Sequence, residues 1–190
     1  MAETNSTLFD PALYRPPPFH ENPATLEEAL VACFAAKRVS LQFMELAELL
    51  LLRNPAVKHL IGVRRVATDQ ITTSQLVLAT LFMLDTDVQN GGLGQFFFNC
   101  PEWVSHAPDS LSAIGCDDLA TALRNDIQRV IEMCGSVYAF ASGGSIEALN
   151  ARAEQIEFAE FESAYYAGDK RRYENAVLYV RNHLSGFVLQ

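Results

Sequence analysis

Apolar residues recur at three- and four-residue spacing through the first part of the chain, a pattern that predicts amphipathic helices. The first run covers residues 26–52 and opens with a capping box, in which Thr25 and Glu28 satisfy free amide groups at a helix start. A break near Val39 divides this run. The run of residues 26–52 ends before Pro55, because the residue that precedes a proline avoids the helical conformation.

Residues 73–88 are apolar nearly all round, which is typical of a helix buried at the centre of a domain. The Asn-Gly-Gly sequence at 90–92 stops this helix, since Asn and Gly tolerate the left-handed conformation of a helix C-cap. Asp85 and Asp87 are two positions apart and point in different directions on a helix. We therefore interpret them as solvating the helix end, not as a shared catalytic or metal site.

The rest of the chain also has helical signals, and no segment shows the alternation of a strand over a useful length. Residues 56–72 are ambiguous, with the apolar positions of a short helix. The later predicted helices are one that carries residues 95–98, one opening at Pro108 or Asp109, one from Asp117, one from Ser145 and one after Gly168-Asp169. The residues expected on the inner face of the helix from Asp117 are Leu119, Leu123, Ile127, Val130 and Ile131. The predicted fold class is all-α.

Phe158, Phe161 and Tyr165 form an apolar stripe on the side of the Ser145 helix opposite to its other inward positions, Leu149 and Ile156. Either the helix breaks near Glu157, or it is covered on both faces.

The domain organisation follows from the prolines, five of which lie within residues 1–24. Proline at three consecutive positions favours an extended polyproline conformation and excludes helix there. We interpret residues 1–24 as an extended Pro-rich arm along the domain or along a second subunit. Residues 25–190 are expected to form one compact multi-helix domain.

The charge of the chain disfavours direct binding to nucleic acid, because phosphate contacts require clustered Lys and Arg. The formal net charge is −9, and residues 81–190 hold 15 of the 23 acids but only seven of the 14 bases. The acidity therefore belongs to the C-terminal half.

Cysteine spacing and hydropathy indicate a cytoplasmic protein. The four cysteines are far apart and form no CxxC pair, which is typical of reduced, mostly buried thiols. We find no secretory signal pattern, and the longest uncharged apolar run, residues 76–84, is far below the roughly 20 residues of a membrane span.

Sequence motifs for catalysis or metal binding were not found. The four histidines are scattered, and neither a phosphate loop nor a nucleophile motif is present. We therefore predict no catalytic residue, no metal and no cofactor. An enzyme whose site is assembled from distant residues is the least favoured hypothesis.

The most distinctive segment is residues 89–99, in which glycines allow two helices to meet at a sharp corner. We favour a structural role for its motif, although its amides could instead form a polar recognition cluster. The motif residues are Asn90, Gly91, Gly92, Gln95, Phe96, Phe97 and Asn99.

This motif resembles the signature of the DNA-mimic-protein family, whose domain is otherwise of unknown function. The Leu111-x-x-Ile114-Gly115 segment and Tyr165-Tyr166 are also similar to that family, and the resemblance covers about residues 70–185. It implies an all-helical fold, a homodimer and a non-catalytic acidic protein that occupies the DNA-binding surface of a basic protein such as a transcription factor.

The expected partner-binding residues belong to the most acidic stretch, residues 147–162, and would form charge-assisted hydrogen bonds to Lys and Arg. They are Glu147, Glu154, Glu157, Glu160 and Glu162. A helix of this length spans about 22 Å, over which one DNA strand shows about seven charges. The stretch has a net of four, counting Arg152. A symmetric dimer would double the acidic surface.

Two other binding functions remain open. One is an immunity-like or antitoxin-like protein that blocks a toxin by shape and charge. The other is a helical scaffold with an apolar partner interface built on Phe158, Phe161 and Tyr165.

Overall fold

A computed structural model describes residues 26–52, 54–142 and 146–187. Within these ranges the chain forms eleven α-helices and no strand, which confirms the all-α fold class. The predicted arm over residues 1–24 and the capping residue Thr25 lie outside the described residues.

The helices follow the periodicity of the sequence closely. They are α1 (Leu26–Ala35), α2 (Val39–Ala47), α3 (Pro55–Gly62), α4 (Thr73–Asn99), α5 (Pro101–Val104), α6 (Ala107–Ala113), α7 (Asp117–Cys134), α8 (Val137–Ala141), α9 (Ile146–Ile156), α10 (Ala159–Ala167) and α11 (Asp169–Asn182). A π-helical turn at Glu48–Leu52 continues α2, and a 3-10 turn follows α11 at Leu184–Gly186. The predicted break near Val39 is confirmed as the gap between α1 and α2.

Helix α4 is the centre of the fold because its apolar residues face every direction. Its side chains from Val77 to Val88 are mostly buried, and it contacts α2, α3, α5, α6 and α8 to α11. A capping box between Thr72 and Gln75 starts the helix. The predicted central helix is thus confirmed. Among the described helices, none is both long and apolar enough to cross a membrane.

The break predicted at residues 90–92 is present, but the next helical segment follows without a loop. Gly91 and Gly92 have non-helical backbone angles inside α4 (φ −155°, ψ 21° and φ 80°, ψ −179°). They divide α4 into a long first segment and a short second segment, residues 93–99, at the corner where the sequence motif lies.

The chain also breaks at Glu157, which separates α9 from α10 and has a left-handed φ of 57°. The apolar stripe that follows is buried: Phe158, Phe161 and Tyr165 are 4%, 0% and 1% exposed. The first of the two alternatives for this helix is therefore correct. An apolar partner interface on these three residues is wrong, because their rings already pack inside the core.

The sequence prediction missed parts of the region around α7. Helices α5 and α8 were not predicted, since four or five residues are too few to show a helical period. Ile131 is 40% exposed, whereas Asp126 is 1% exposed. The buried face of α7 thus includes a carboxylate where an apolar residue was expected, and Ile131 lies at its edge.

The burial of Asp85 contradicts its interpretation as a solvated helix-end residue. Its carboxylate accepts hydrogen bonds from the hydroxyls of Tyr165 (3.0 Å) and Tyr173 (2.9 Å) and from Nη2 of Arg172 (2.9 Å). Arg172 Nη2 also donates to Asp169 at 2.6 Å, and its guanidinium lies 3.5 Å from the Tyr165 ring centre. This network joins α4 to α10 and α11.

Loss of the Asp85 carboxylate should therefore destabilise the fold strongly. Asp85→Ala leaves two buried hydroxyls without an acceptor and deprives the buried Arg172 of a partner. We expect the free energy of unfolding, measured by urea denaturation, to fall by about 3 kcal/mol or more. Arg124→Ala is the control, because it breaks an ion pair with Asp109 in which both side chains are exposed. Its expected effect is within about 1 kcal/mol, and similar losses for both variants would contradict the prediction.

Candidate functional site

The motif amides meet at a second buried carboxylate, that of Asp87, which is 1% exposed. Its Oδ1 accepts hydrogen bonds from Gln95 Nε2 (3.2 Å) and Asn99 Nδ2 (2.9 Å). Its Oδ2 accepts from Arg64 Nη1 (2.8 Å) and from the Cys100 thiol (3.0 Å). Asp87 therefore connects both segments of α4 to the chain that follows α3, and its interpretation as a solvated residue is wrong.

The Cys100 thiol acts as a hydrogen-bond donor in this cluster. Burial, reinforced by the hydrogen bond to Asp87, raises the pKa of Cys100 far above its ordinary value. The thiol consequently stays protonated at neutral pH. A thiol is a poor nucleophile in this form, because thiolate is the reactive species.

The two glycines of the motif allow side chains to approach the backbone at the corner. A Cβ on Gly91 would collide with Oε1 of Gln95, whose side chain lies across that position. A Cβ on Gly92 would lie 2.5 Å from Oε1 of Glu162, the same oxygen that accepts a hydrogen bond of 2.6 Å from the Leu93 amide. Glu162 thus caps the second segment of α4 with a carboxylate, which suits the positive end of a helix.

A cleft of about 740 Å³ lies between the second segment of α4 and the α9–α10 pair. Gln95 and Asn99 of the motif line one wall, and Asn150 adds a third amide. Phe98 and Phe158 supply aromatic surface. The volume is typical of ligand-binding sites in proteins.

The structure brings three of the five predicted partner-binding residues to this cleft. Glu154, Glu157 and Glu162 line it, the first two exposed and the third half-buried. Glu147 and Glu160 are exposed but do not line it. The motif and the acidic stretch, which were separate features of the sequence, therefore share one site. A partner-binding role for the five glutamates stays a prediction.

The acidic wall of the cleft has no base among its described lining residues. The described residues that line the cleft include no Lys, Arg or His. Arg152, the base within the acidic stretch, donates from Nη2 to the Phe140 carbonyl (3.0 Å), with its guanidinium 5.6 Å from the Phe140 ring centre. Arg172, in the basic run that follows, pairs with Asp85 in the core. The charged side chains that line the cleft, among the residues described, are accordingly all carboxylates.

The acidic surface also acts on Asp126, a buried carboxylate of α7 that pairs with Arg129. Burial raises the pKa of Asp126 against the opposing effect of Arg129, and Glu160 and Glu162 raise it further by repulsion. Asp126 is therefore harder to ionise in the folded protein than in the unfolded chain. Within the described ranges, no group of three or more His, Cys, Asp or Glu side chains is arranged to hold a metal ion.

Sequence reasoning missed Asp87, Arg64 and Cys100 as members of the site. The available signal was a pair of acids in a helix whose other positions are almost all apolar. Such acids lie either at a solvated helix end or in the core with hydrogen-bond partners. The partner of Asp87 in the loop after α3, Arg64, lies 23 residues away along the chain and could not be identified from sequence spacing.

Comparison with known proteins gives one match. A family model described as DMP19-like protein matches residues 69–183, more than half of the chain. Neither a curated protein nor a solved structure matches.

The corner in α4 should tolerate no side chain at position 92. Gly92 has φ 80° and ψ −179°, a region that essentially only glycine adopts. We expect Gly92→Ala to lower the free energy of unfolding by about 1–3 kcal/mol, measured by urea denaturation. Gly62→Ala is the control, because an added Cβ there meets no atom within 4 Å and φ is not left-handed. A loss at Gly62 equal to that at Gly92 would contradict this explanation.

The raised pKa of Asp126 predicts a pH-dependent effect of Asp126→Asn. A carboxyl whose pKa is higher in the folded than in the unfolded state stabilises the fold below the unfolded value of about 3.9. That contribution is lost as pH rises through the folded pKa. The variant should therefore be more stable than the wild type at pH 7, and the difference should shrink towards pH 4. Urea denaturation across this range tests it, and a difference that does not change with pH would refute it.

Proposed function

The chain belongs to the DMP19-like protein family, a family of DNA-mimic proteins, and from this premise we propose that it is a non-catalytic DNA mimic. The most acidic stretch of its C-terminal half, residues 147–162, occupies the DNA-binding surface of a basic protein such as a transcription factor. The observation that carries the proposal is the acidic cleft, which combines the family motif with three of the five glutamates.

The positions of the acidic residues in the fold support this function more than their number does. The acidic stretch is not one continuous helix, since the left-handed Glu157 separates α9 from α10. Three of its five glutamates line a concavity. Charges of one sign in a cleft with low-dielectric walls focus the electric field and attract a basic partner.

A single copy nevertheless has fewer charges than duplex DNA, and a symmetric dimer is part of the proposal because it would double the acidic surface. The proposal also includes a reducing, cytoplasmic setting. Its support is that none of the four cysteines forms a disulfide and that three of them, Cys33, Cys100 and Cys116, are buried.

An immunity-like or antitoxin-like protein is the second candidate, because a toxin with a basic surface would fit the same cleft. Both functions depend on charge, so both give salt-sensitive binding. The identity of the partner found on pulldown distinguishes them, since duplex DNA is a polyanion that also competes for the basic surface of a toxin.

We expect the purified protein to retain a basic DNA-binding protein from a cell lysate at low salt. Elution should occur as salt rises towards 1 M, where the screening length falls to about 3 Å, and duplex DNA should compete with the retained protein. Failure to retain any such protein at low salt would refute the proposal.

The charge requirement is tested by neutralising four exposed glutamates of the acidic stretch and leaving the structural Glu162 unchanged. The test variant carries Glu147→Gln, Glu154→Gln, Glu157→Gln and Glu160→Gln. The control removes four exposed acids elsewhere with Asp69→Asn, Asp118→Asn, Glu132→Gln and Glu174→Gln. Only the test variant should release the partner at lower salt.

A further inference from the structure

Every charged side chain among the described residues that line the cleft between the second segment of α4 and the α9–α10 pair is a carboxylate. Glu154, Glu157 and Glu162 contribute carboxylates, which accept but do not donate when ionised. Gln95 and Asn99 each commit one amide hydrogen to Asp87 (3.2 and 2.9 Å), which leaves the amide oxygen and one remaining N–H of each to offer to a ligand. A ligand that fits this lining is rich in donors and positively charged.

The cleft also has an apolar, aromatic component. Phe98 lines it and is half-buried, so part of its ring faces the cleft. Phe158 also lines it but is 4% exposed, because it packs on Phe97 and Phe140 with ring centres 5.4 and 6.3 Å apart. The accessible aromatic surface for a flat group is therefore that of Phe98.

Arginine is the side chain that has both properties. Its guanidinium carries five donors in a plane, pairs with carboxylates through two parallel hydrogen bonds and stacks on aromatic rings. Lysine has a compact ammonium group with three donors and no flat surface. An anionic ligand is repelled by three carboxylates, and a purely apolar one leaves them desolvated and unpaired.

We propose that this cleft receives an arginine side chain of the partner protein. The inference rests on the proposed function and specifies the contact: Glu154 and Glu157 pair with the guanidinium, and the half-buried Phe98 ring supports it. Glu162 contributes charge from a position that its hydrogen bond to the Leu93 amide fixes.

The direct test titrates the full chain with N-acetyl-arginine amide and, separately, with N-acetyl-lysine amide. Binding is followed by nuclear magnetic resonance through the Leu93 backbone amide and the side-chain amides of Gln95 and Asn99. We expect saturable shifts with the arginine compound and binding about tenfold weaker with the lysine compound. Absence of a saturable shift, or equal affinity for the two compounds, overturns the inference.

Matched variants locate the binding in the cleft. Glu154→Gln with Glu157→Gln should weaken arginine binding about tenfold or more. Glu147→Gln with Glu160→Gln removes the same charge outside the cleft. The affinity for the arginine compound should then stay within about twofold of the wild-type value, because screened surface charges contribute little. Equal losses in the two pairs would mean that arginine responds to net charge and not to this cleft.

A steric variant tests the cleft without changing charge. Ala159 is exposed and lines the cleft, whereas Ala151 is exposed on α9 and does not line it. Ala159→Phe should abolish arginine binding and Ala151→Phe should preserve it. Thermal unfolding of both variants checks that they fold, and arginine binding by folded Ala159→Phe at wild-type affinity overturns the inference.

Failure of this inference and failure of the proposed function give different results. If the wild type retains a basic protein that DNA displaces, but the two glutamate pairs weaken that binding equally, the mimic function stands and the arginine site fails. If arginine binds in the cleft but no DNA-binding protein is retained, the site stands and the mimic function fails.

Discussion

The buried carboxylates of Asp85 and Asp87 are the constraint on which the rest of the fold depends. A charge removed from water is costly unless it is paired and hydrogen-bonded, so each carboxylate needs donors from other elements. Asp85 obtains them from α10 and α11, through two tyrosine hydroxyls and Arg172. Asp87 obtains them from Arg64 after α3 and from the second segment of α4. Because the two residues point in different directions, they hold elements on different sides of α4.

The buried carboxylate of Asp85 also fixes the position of one cleft wall, α10, relative to the other, α4. Tyr165 fixes α10 to α4 by its hydrogen bond to Asp85, and one turn earlier on α10 Glu162 reaches the Leu93 amide. That approach requires the absence of a side chain at Gly92. Glu162 thus contributes charge to the cleft from α10 and also caps the second segment of α4 on the opposite wall. Of the three cleft glutamates, we expect Glu162 to tolerate substitution least, since the other two have exposed side chains.

Local signals in the sequence were sufficient to predict most of the fold. Periodicity predicted the long helices, and Pro55 and the Asn-Gly-Gly sequence predicted breaks. The displaced stripe beginning at Phe158 left a break near Glu157 as one of two alternatives. The burial of Asp85 could not be predicted in this way, because its partners Tyr165 and Arg172 lie 80 and 87 residues further along the chain. Helical periodicity records which residues share a face, but it does not record which distant side chain meets that face.

The candidate site was predictable in its parts but not in its assembly. As one straight helix of about 22 Å, the acidic stretch would carry a row of charges, but fewer than one DNA strand of the same length. The break at Glu157 replaces the row with a concave wall, so linear charge density is not the relevant quantity. For a partner that inserts a side chain, what matters is the potential inside the cleft, where walls of low dielectric screen charge less than water does. Three carboxylates around one cavity can therefore attract a basic group strongly even though the net charge of the whole chain is only −9.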